Sequence, residues 1–223
     1  MDRRLLSLAA ILSLGACATK PDAAPQSPPS SSAGAAPQDT SIVRADKARI
    51  QGSESAKVWL VIASDFQCPF CREFHDDIYK KILRDYVTPG KIRVAFLNHP
   101  MAFHAMAIPA AEAAMCAGKQ DRFWEMHDGL FMTQEKWTKR TDPQPVFDSL
   151  ATSLKLRVDD WRACFTSHAT RAMIDADLFR SKGGGVTGTP SFFVDNRLAL
   201  IGIEPYENFR RELDAAIARA GGK

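Results

Sequence analysis

Asp65-Phe66-Gln67-Cys68-Pro69-Phe70-Cys71 joins a strand pattern to a helix pattern through two cysteines three positions apart. It follows Val58–Ala63 (VWLVIA), a short β-rich apolar run of the kind a buried central strand carries. It precedes Phe70, Phe74, Ile78, Ile82 and Tyr86, whose four-residue step marks one helix face. A C-x-x-C at a strand-to-helix junction has a mechanism behind it. Cys68 falls at the helix N-cap and Pro69 at the first helical position, where the missing N–H is harmless. Free N–H groups and the positive helix end then favour a thiolate on Cys68. Cys71, one turn on and facing inward, can attack the Cys68 sulfur of a mixed disulfide and release the partner thiolate. Half a zinc site or a structural disulfide are the alternatives, but zinc needs two more ligands and no second paired motif appears.

Outward from the motif, Lys91–Leu97 alternates toward a second strand with Ile92, Val94 and Phe96 on one side. Residues 103–183 lose β character. Helices are expected over Phe103–Ala117, Asp121–Met132, Pro143–Leu156, Val158–Thr166 and His168–Lys182. Ser191–Val194 and Leu198–Ile201 flank the turn pair Asp195-Asn196 and read as a hairpin, with a closing helix over Pro205–Ala220. Gly183-Gly184-Gly185-Val186-Thr187-Gly188-Thr189-Pro190 leads into the hairpin. Its glycines suggest a backbone that approaches something closely, and its proline is a candidate cis residue.

The N-terminus reads as an address. Arg3 and Arg4 precede the apolar run Leu5–Leu14, which ends in Leu14-Gly15-Ala16-Cys17. That ending resembles the lipobox of bacterial lipoproteins, with Cys17 as the lipidated residue; an ordinary cleaved signal is the alternative. Lys20–Asp39 holds five prolines and no Leu, Ile, Val or aromatic residue, so it reads as a tether. Coil of that length reaches ~25 Å. By resemblance to lipoprotein sorting, Ala18 favours the outer membrane. Export would place the other cysteines in an oxidising compartment.

Composition excludes several classes. With 45% apolar and 25% charged residues in 223, the chain can bury a full core. A net charge of +3, from 29 basic against 26 acidic residues, is too balanced to argue for nucleic acid. No run approaches the ~18–20 apolar residues of a membrane span.

DFQCPFCREFH, AAMCAGKQDRFWEMHDGLF and GVTGTPSFFVD together resemble the DsbA-like branch of the thioredoxin superfamily, over roughly residues 42–220. The resemblance implies an α/β thioredoxin fold with an inserted all-helical domain. The expected boundaries are a signal over 1–17, a tether over 18–40, a thioredoxin-like core over 41–100 and 184–223, and the insertion over 101–183. It implies an exposed nucleophile at Cys68, a resolving thiol at Cys71, and Thr189-Pro190 as the Xaa-cis-Pro that lies against the sulfurs and offers its backbone to substrate. Pro69 and Phe70 complete the active-site loop. For Cys116 and Cys164, a structural disulfide in the helical domain is expected, with two buried thiols or a regulatory redox pair as alternatives.

Two departures leave the direction of catalysis open. Pro69-Phe70 has no histidine of the kind strongly oxidising members carry, so the thiolate loses a supporter. Ile62 stands where thioredoxin-fold enzymes often have a buried acid, six residues before the nucleophile. Asp65 is nearer, as a proton relay or a solvated loop residue.

The expectation is therefore an exported, membrane-tethered thiol:disulfide oxidoreductase acting on cysteine-containing envelope proteins. A redox partner in the membrane, of DsbB-, VKOR- or DsbD-like type, is implied. Isomerase or reductase activity, a Cu(I)-binding thioredoxin-fold module, and a non-catalytic lipoprotein are the alternatives. No cofactor and no metal centre are expected. His75, His99 and His104 read as packed or solvated residues, and Phe123, Trp124, His127, Leu130 and Phe131 as core. Met101 and Met106 are candidates for an apolar groove beside the site, or for core.

Overall fold

The computed structural model describes residues 40–221. The signal, Cys17 and the tether up to residue 39 lie outside the described residues. Five strands form one sheet in the order β1-β3-β2-β4-β5. They are β1 (Ile50–Gly52), β2 (Val58–Ser64), β3 (Ile92–Asn98), β4 (Ser191–Val194) and β5 (Arg197–Ile201). β2 and β3 are parallel, as a strand–helix–strand unit requires. β1 on β3, β4 on β2 and β5 on β4 are antiparallel.

Register explains why the apolar alternation works. Ile62 pairs with Phe96 on one side and with Phe192 on the other. Leu60 likewise pairs with Val94 and Val194, so these six side chains share one face, and all are buried. Helix α2 (residues 69–87) and α9 (Tyr206–Gly221) cover that face through Phe74 and Phe209, whose rings lie 4.6 and 4.7 Å from that of Phe192. Burying such a side chain contributes roughly 1.5–3 kcal/mol.

α2 is not a uniform α-helix. Phe74–Tyr79 and Leu83–Val87 are π-helical, with a short α-helical turn, Lys80–Ile82, between them. A strict four-residue step drifts by about 40° per step on a 3.6-residue helix. Local widening reduces that drift and keeps Phe74, Ile78, Ile82 and Tyr86 buried together. Phe70 departs from the expected face. It sits on the first turn, at the rim where β2 ends, and is 57% exposed.

The helical insertion comprises α3 (Ala107–Gly118), α4 (Phe123–Met132), α5 (Gln134–Trp137), α6 (Gln144–Ser153), α7 (Val158–Thr166) and α8 (Arg171–Gly183). α3 begins four residues later than its Ala-rich pattern suggested. Residues 101–106 are instead a turn segment held by hydrogen bonds described below, with Phe103 74% exposed. Three elements escaped the sequence pattern: β1, the helix α1 (Thr40–Ala48) and the four-residue α5. A three-residue edge strand is too short to show alternation.

The hairpin turns at Asp195 and Asn196, both in the left-handed region at φ 49° and 65°. The glycine run does something other than approach a neighbour throughout. Gly185, at φ +89°, ends α8: its N–H donates to the Lys182 carbonyl, and that of Val186 to the Ser181 carbonyl. A Cβ at Gly184 would meet the Phe193 ring at 2.9 Å, whereas Gly183 and Gly188 have open space around them.

Among the described residues no helix is long and apolar enough to cross a membrane.

Candidate active site

β2 delivers Asp65 to the end of the sheet and Cys68 to the N-cap of α2, with Pro69 in its first turn. Cys68 has extended backbone (φ −69°, ψ 124°) and its carbonyl accepts the first helical hydrogen bond, from Arg72 N–H at 3.2 Å. Both cysteines are free thiols. Cys71 faces inward at 1% exposure, and Cys68 keeps 4%. The expected exposed nucleophile is therefore largely covered, with its Sγ 3.4 Å from the Thr189 carbonyl oxygen. The Thr189–Pro190 peptide bond is cis.

The two thiols differ in acidity. Cys68 is lowered to about 6, chiefly because the Cys71 side chain hydrogen-bonds to it. Burial opposes the shift, and Thr189 and the backbone N–H groups of Cys71 and Phe70 give smaller support. Cys71 is pushed well up by burial, then by holding its proton toward Cys68. Ser64 and the Asp65 N–H, 3.5 Å from the Cys71 Sγ, work weakly the other way.

Asp65 is not a solvated loop residue. At 2% exposure its carboxylate accepts the N–H of Gln67 at 2.7 Å and of Met101 at 2.8 Å, and meets His104 Nδ1 at 2.8 Å. Gln67 Oε1 accepts the Met106 N–H at 2.6 Å. Asp65 and Gln67 thus fasten segment 101–106 beside the motif. Met101 and Met106 are half-buried there, Met106 packed on the core.

A residue that sequence reasoning missed closes the site from the insertion. Gln134, buried on α5, donates through Nε2 to the carbonyls of Phe66 at 2.8 Å and Cys68 at 3.0 Å. Nothing in the chain marks a glutamine between Thr133 and Glu135 as special. Phe66 stacks on Phe96 and packs against the tilted ring of Phe131, which joins motif, sheet and insertion.

Cys116 on α3 and Cys164 on α7 form a disulfide, with Cα atoms 5.8 Å apart. His99 is buried against Ser181 Oγ at 2.6 Å, and burial lowers its pKa. His75 bonds carboxylates, while Phe123, Trp124, His127, Leu130 and Phe131 are buried.

Comparison with known proteins agrees with this geometry. The thioredoxin family profile matches residues 44–215. A Na(+)/H(+) antiporter NhaA 3 from Salinispora tropica is 31% identical over 68% of this chain, but the match spans only 22% of that protein's length. The probable disulfide bond formation protein D of Bacillus anthracis is 26% identical over 66% of this chain and 70% of its own length. Among solved structures, oxidised BdbD from Bacillus subtilis superposes with a TM-score of 0.68 at 22% identity, covering 76% of this chain and 92% of BdbD. The alpha-DsbA1 protein of Wolbachia pipientis gives 0.65 at 20% identity, covering 77% of this chain and 92% of its own. With a C-x-x-C at a helix start, a cis-proline beside it and a helical insertion in the sheet's crossover, the chain has the fold of the DsbA structures and belongs to the thioredoxin family.

Proposed function

We propose that this protein introduces disulfides into exported proteins through Cys68 and Cys71. The observation that carries the reading is the division of labour between the two thiols: Cys68 lowered to about 6 at the rim, Cys71 raised and sealed beneath it. In the oxidised enzyme a substrate thiolate attacks the Cys68 sulfur and breaks the Cys68–Cys71 bond. Cys71 leaves with the electron pair and takes up a proton. A second substrate thiolate then attacks the substrate sulfur of the mixed disulfide and releases Cys68 as a thiolate. Substrate loses two electrons and the enzyme gains them, so a membrane redox partner must remove them again. The lowered pKa of Cys68 makes it the better leaving group in the second step, which favours oxidation of substrate over reduction.

Thr189 and cis-Pro190 sit where an extended substrate backbone would lie, and Phe70 and Phe103 are exposed near the motif for apolar side chains. Anchoring by lipidated Cys17, in the outer membrane and facing the periplasm, completes the proposal; the Pro-rich tether supports it. Replacing Cys71 with Ser removes the resolving thiol, so mixed disulfides between Cys68 and envelope proteins should accumulate in cells. Their absence, with stoichiometric Cu(I) binding by the wild-type dithiol, would replace this reading with the copper module. Separately, Cys17→Ser should abolish the acylated N-terminus without changing Cys68 reactivity; a wild-type protein without acyl mass would refute the anchor.

A further inference from the structure

Below the redox pair, α2 and α4 bring together His75, His127 and Asp128, which the mechanism does not use. His75 lies one turn after Cys71. Its Nδ1 is 2.9 Å from Asp76 Oδ1 and its Nε2 is 3.0 Å from Asp128 Oδ1. His127 Nδ1 is 2.8 Å from the same Asp128 oxygen. Two carboxylates therefore face the two nitrogens of one imidazole. Carboxylates only accept, and a neutral imidazole has a single N–H, so one of the two contacts needs an extra positive charge. Either a second proton or a metal cation supplies it.

The surroundings fit a cation. One ligand atom from each of His75, His127 and Asp128 lies within 4.8 Å of the others. Asp76, on the far nitrogen of His75, is the carboxylate partner that commonly orients a ligating histidine and leaves its other nitrogen free to coordinate. The rings of Phe131 and Trp124 lie 5.0 Å from those of His75 and His127 respectively and fix the imidazole planes. The Asp128 side chain is 53% exposed, which gives an ion entry and a place for water ligands. We infer that His75, His127 and Asp128 form a binding site for a divalent cation of the zinc class, bridging the redox-active helix to the helical insertion. Two imidazole nitrogens with one carboxylate select that class over calcium or magnesium, which prefer all-oxygen sets.

The test uses the whole protein with Cys68–Cys71 oxidised, so that neither thiol competes for metal. Zn2+ alone is titrated against a chromogenic chelator. One equivalent should bind, Ca2+ should not displace it, and Co2+ should give the visible bands of a nitrogen-ligated site. Asp128→Asn, at a half-exposed position that tolerates the change, should weaken Zn2+ binding at least tenfold, and His75→Gln should do the same. The surface change His168→Gln should leave it unaltered. Failure to bind one equivalent, or equal binding by wild type and a folded Asp128→Asn protein, would overturn the site. Because the redox pair is oxidised throughout, these outcomes leave the disulfide-forming reading untouched.

Discussion

Two cysteine pairs share this molecule, and burial does not tell them apart. Cys68 and Cys71 retain 4% and 1% of their exposure; Cys116 and Cys164 retain 1% and 7%. What differs is the polarity around the sulfur. Cys68 stands at the start of a helix among donors from Cys71, Thr189 and the backbone. Cys116 lies in the Ala-rich helix α3, flanked by Met115 and Ala117, and is already bonded across the insertion. A thiolate is stabilised by directed hydrogen-bond donors, whereas a lasting disulfide needs only geometry and shelter. One chain thus holds a pair of free thiols of unlike acidity and a pair closed as a disulfide.

The largest effect expected from this contrast is in labelling. After gentle reduction, iodoacetamide at pH 7 should modify Cys68 at least about a hundredfold faster than Cys71, since only Cys68 ionises below neutrality. The rate at Cys68 should rise with pH to half its plateau near 6. The sign for stability follows. A thiol lowered in the folded state stabilises the reduced protein above the free value of ~8.5, and this support fades as pH falls through about 6. Equal labelling of the two thiols would erase the distinction within the redox pair.

The second pair is tested by stability. Cys116→Ala with Cys164→Ala opens a loop of sequence separation 48 and should cost roughly 4 kcal/mol in the chain-entropy account, measured by urea unfolding. Cys68 labelling should be unchanged by it. A shift in the Cys68 profile would show that the two pairs are coupled.

Gln134→Ala should cost about 1–3 kcal/mol, because the Phe66 and Cys68 carbonyls lose their shared donor. Unaltered unfolding would mean that water replaces the amide at no cost.

The smallest effect belongs to Phe70→His. An imidazole there adds a donor for the Cys68 thiolate and should raise the reduction potential. Because Phe70 is 57% exposed, solvent competes, and the expected rise is no more than ~30 mV, or about 1.4 kcal/mol. A fall in potential would contradict the thiolate account.

Much of this was legible in the chain. Alternation set β2 and β3, the turn pair Asp195-Asn196 set the hairpin, and C-x-x-C followed by a helical pattern placed the two cysteines at a helix start. These signals are local, because strand period, turn conformation and helix start depend on a few neighbouring residues. The Ala-rich run overstated α3, since composition does not reveal that Met101 and Met106 donate their amides to Asp65 and Gln67. The same folding buried Asp65 and turned Phe70 outward.

Local patterns in the chain carry the thioredoxin-type order of elements and place Cys68 and Cys71 at a helix start. Long-range packing supplies their surroundings: Gln134 over the motif carbonyls, His104 on Asp65, and His75 meeting His127 and Asp128 across two helices. Those contacts join residues 39 to 68 positions apart. No periodicity spans such distances, and only the packing of the insertion against the sheet and its helices brings the groups within a hydrogen bond of one another.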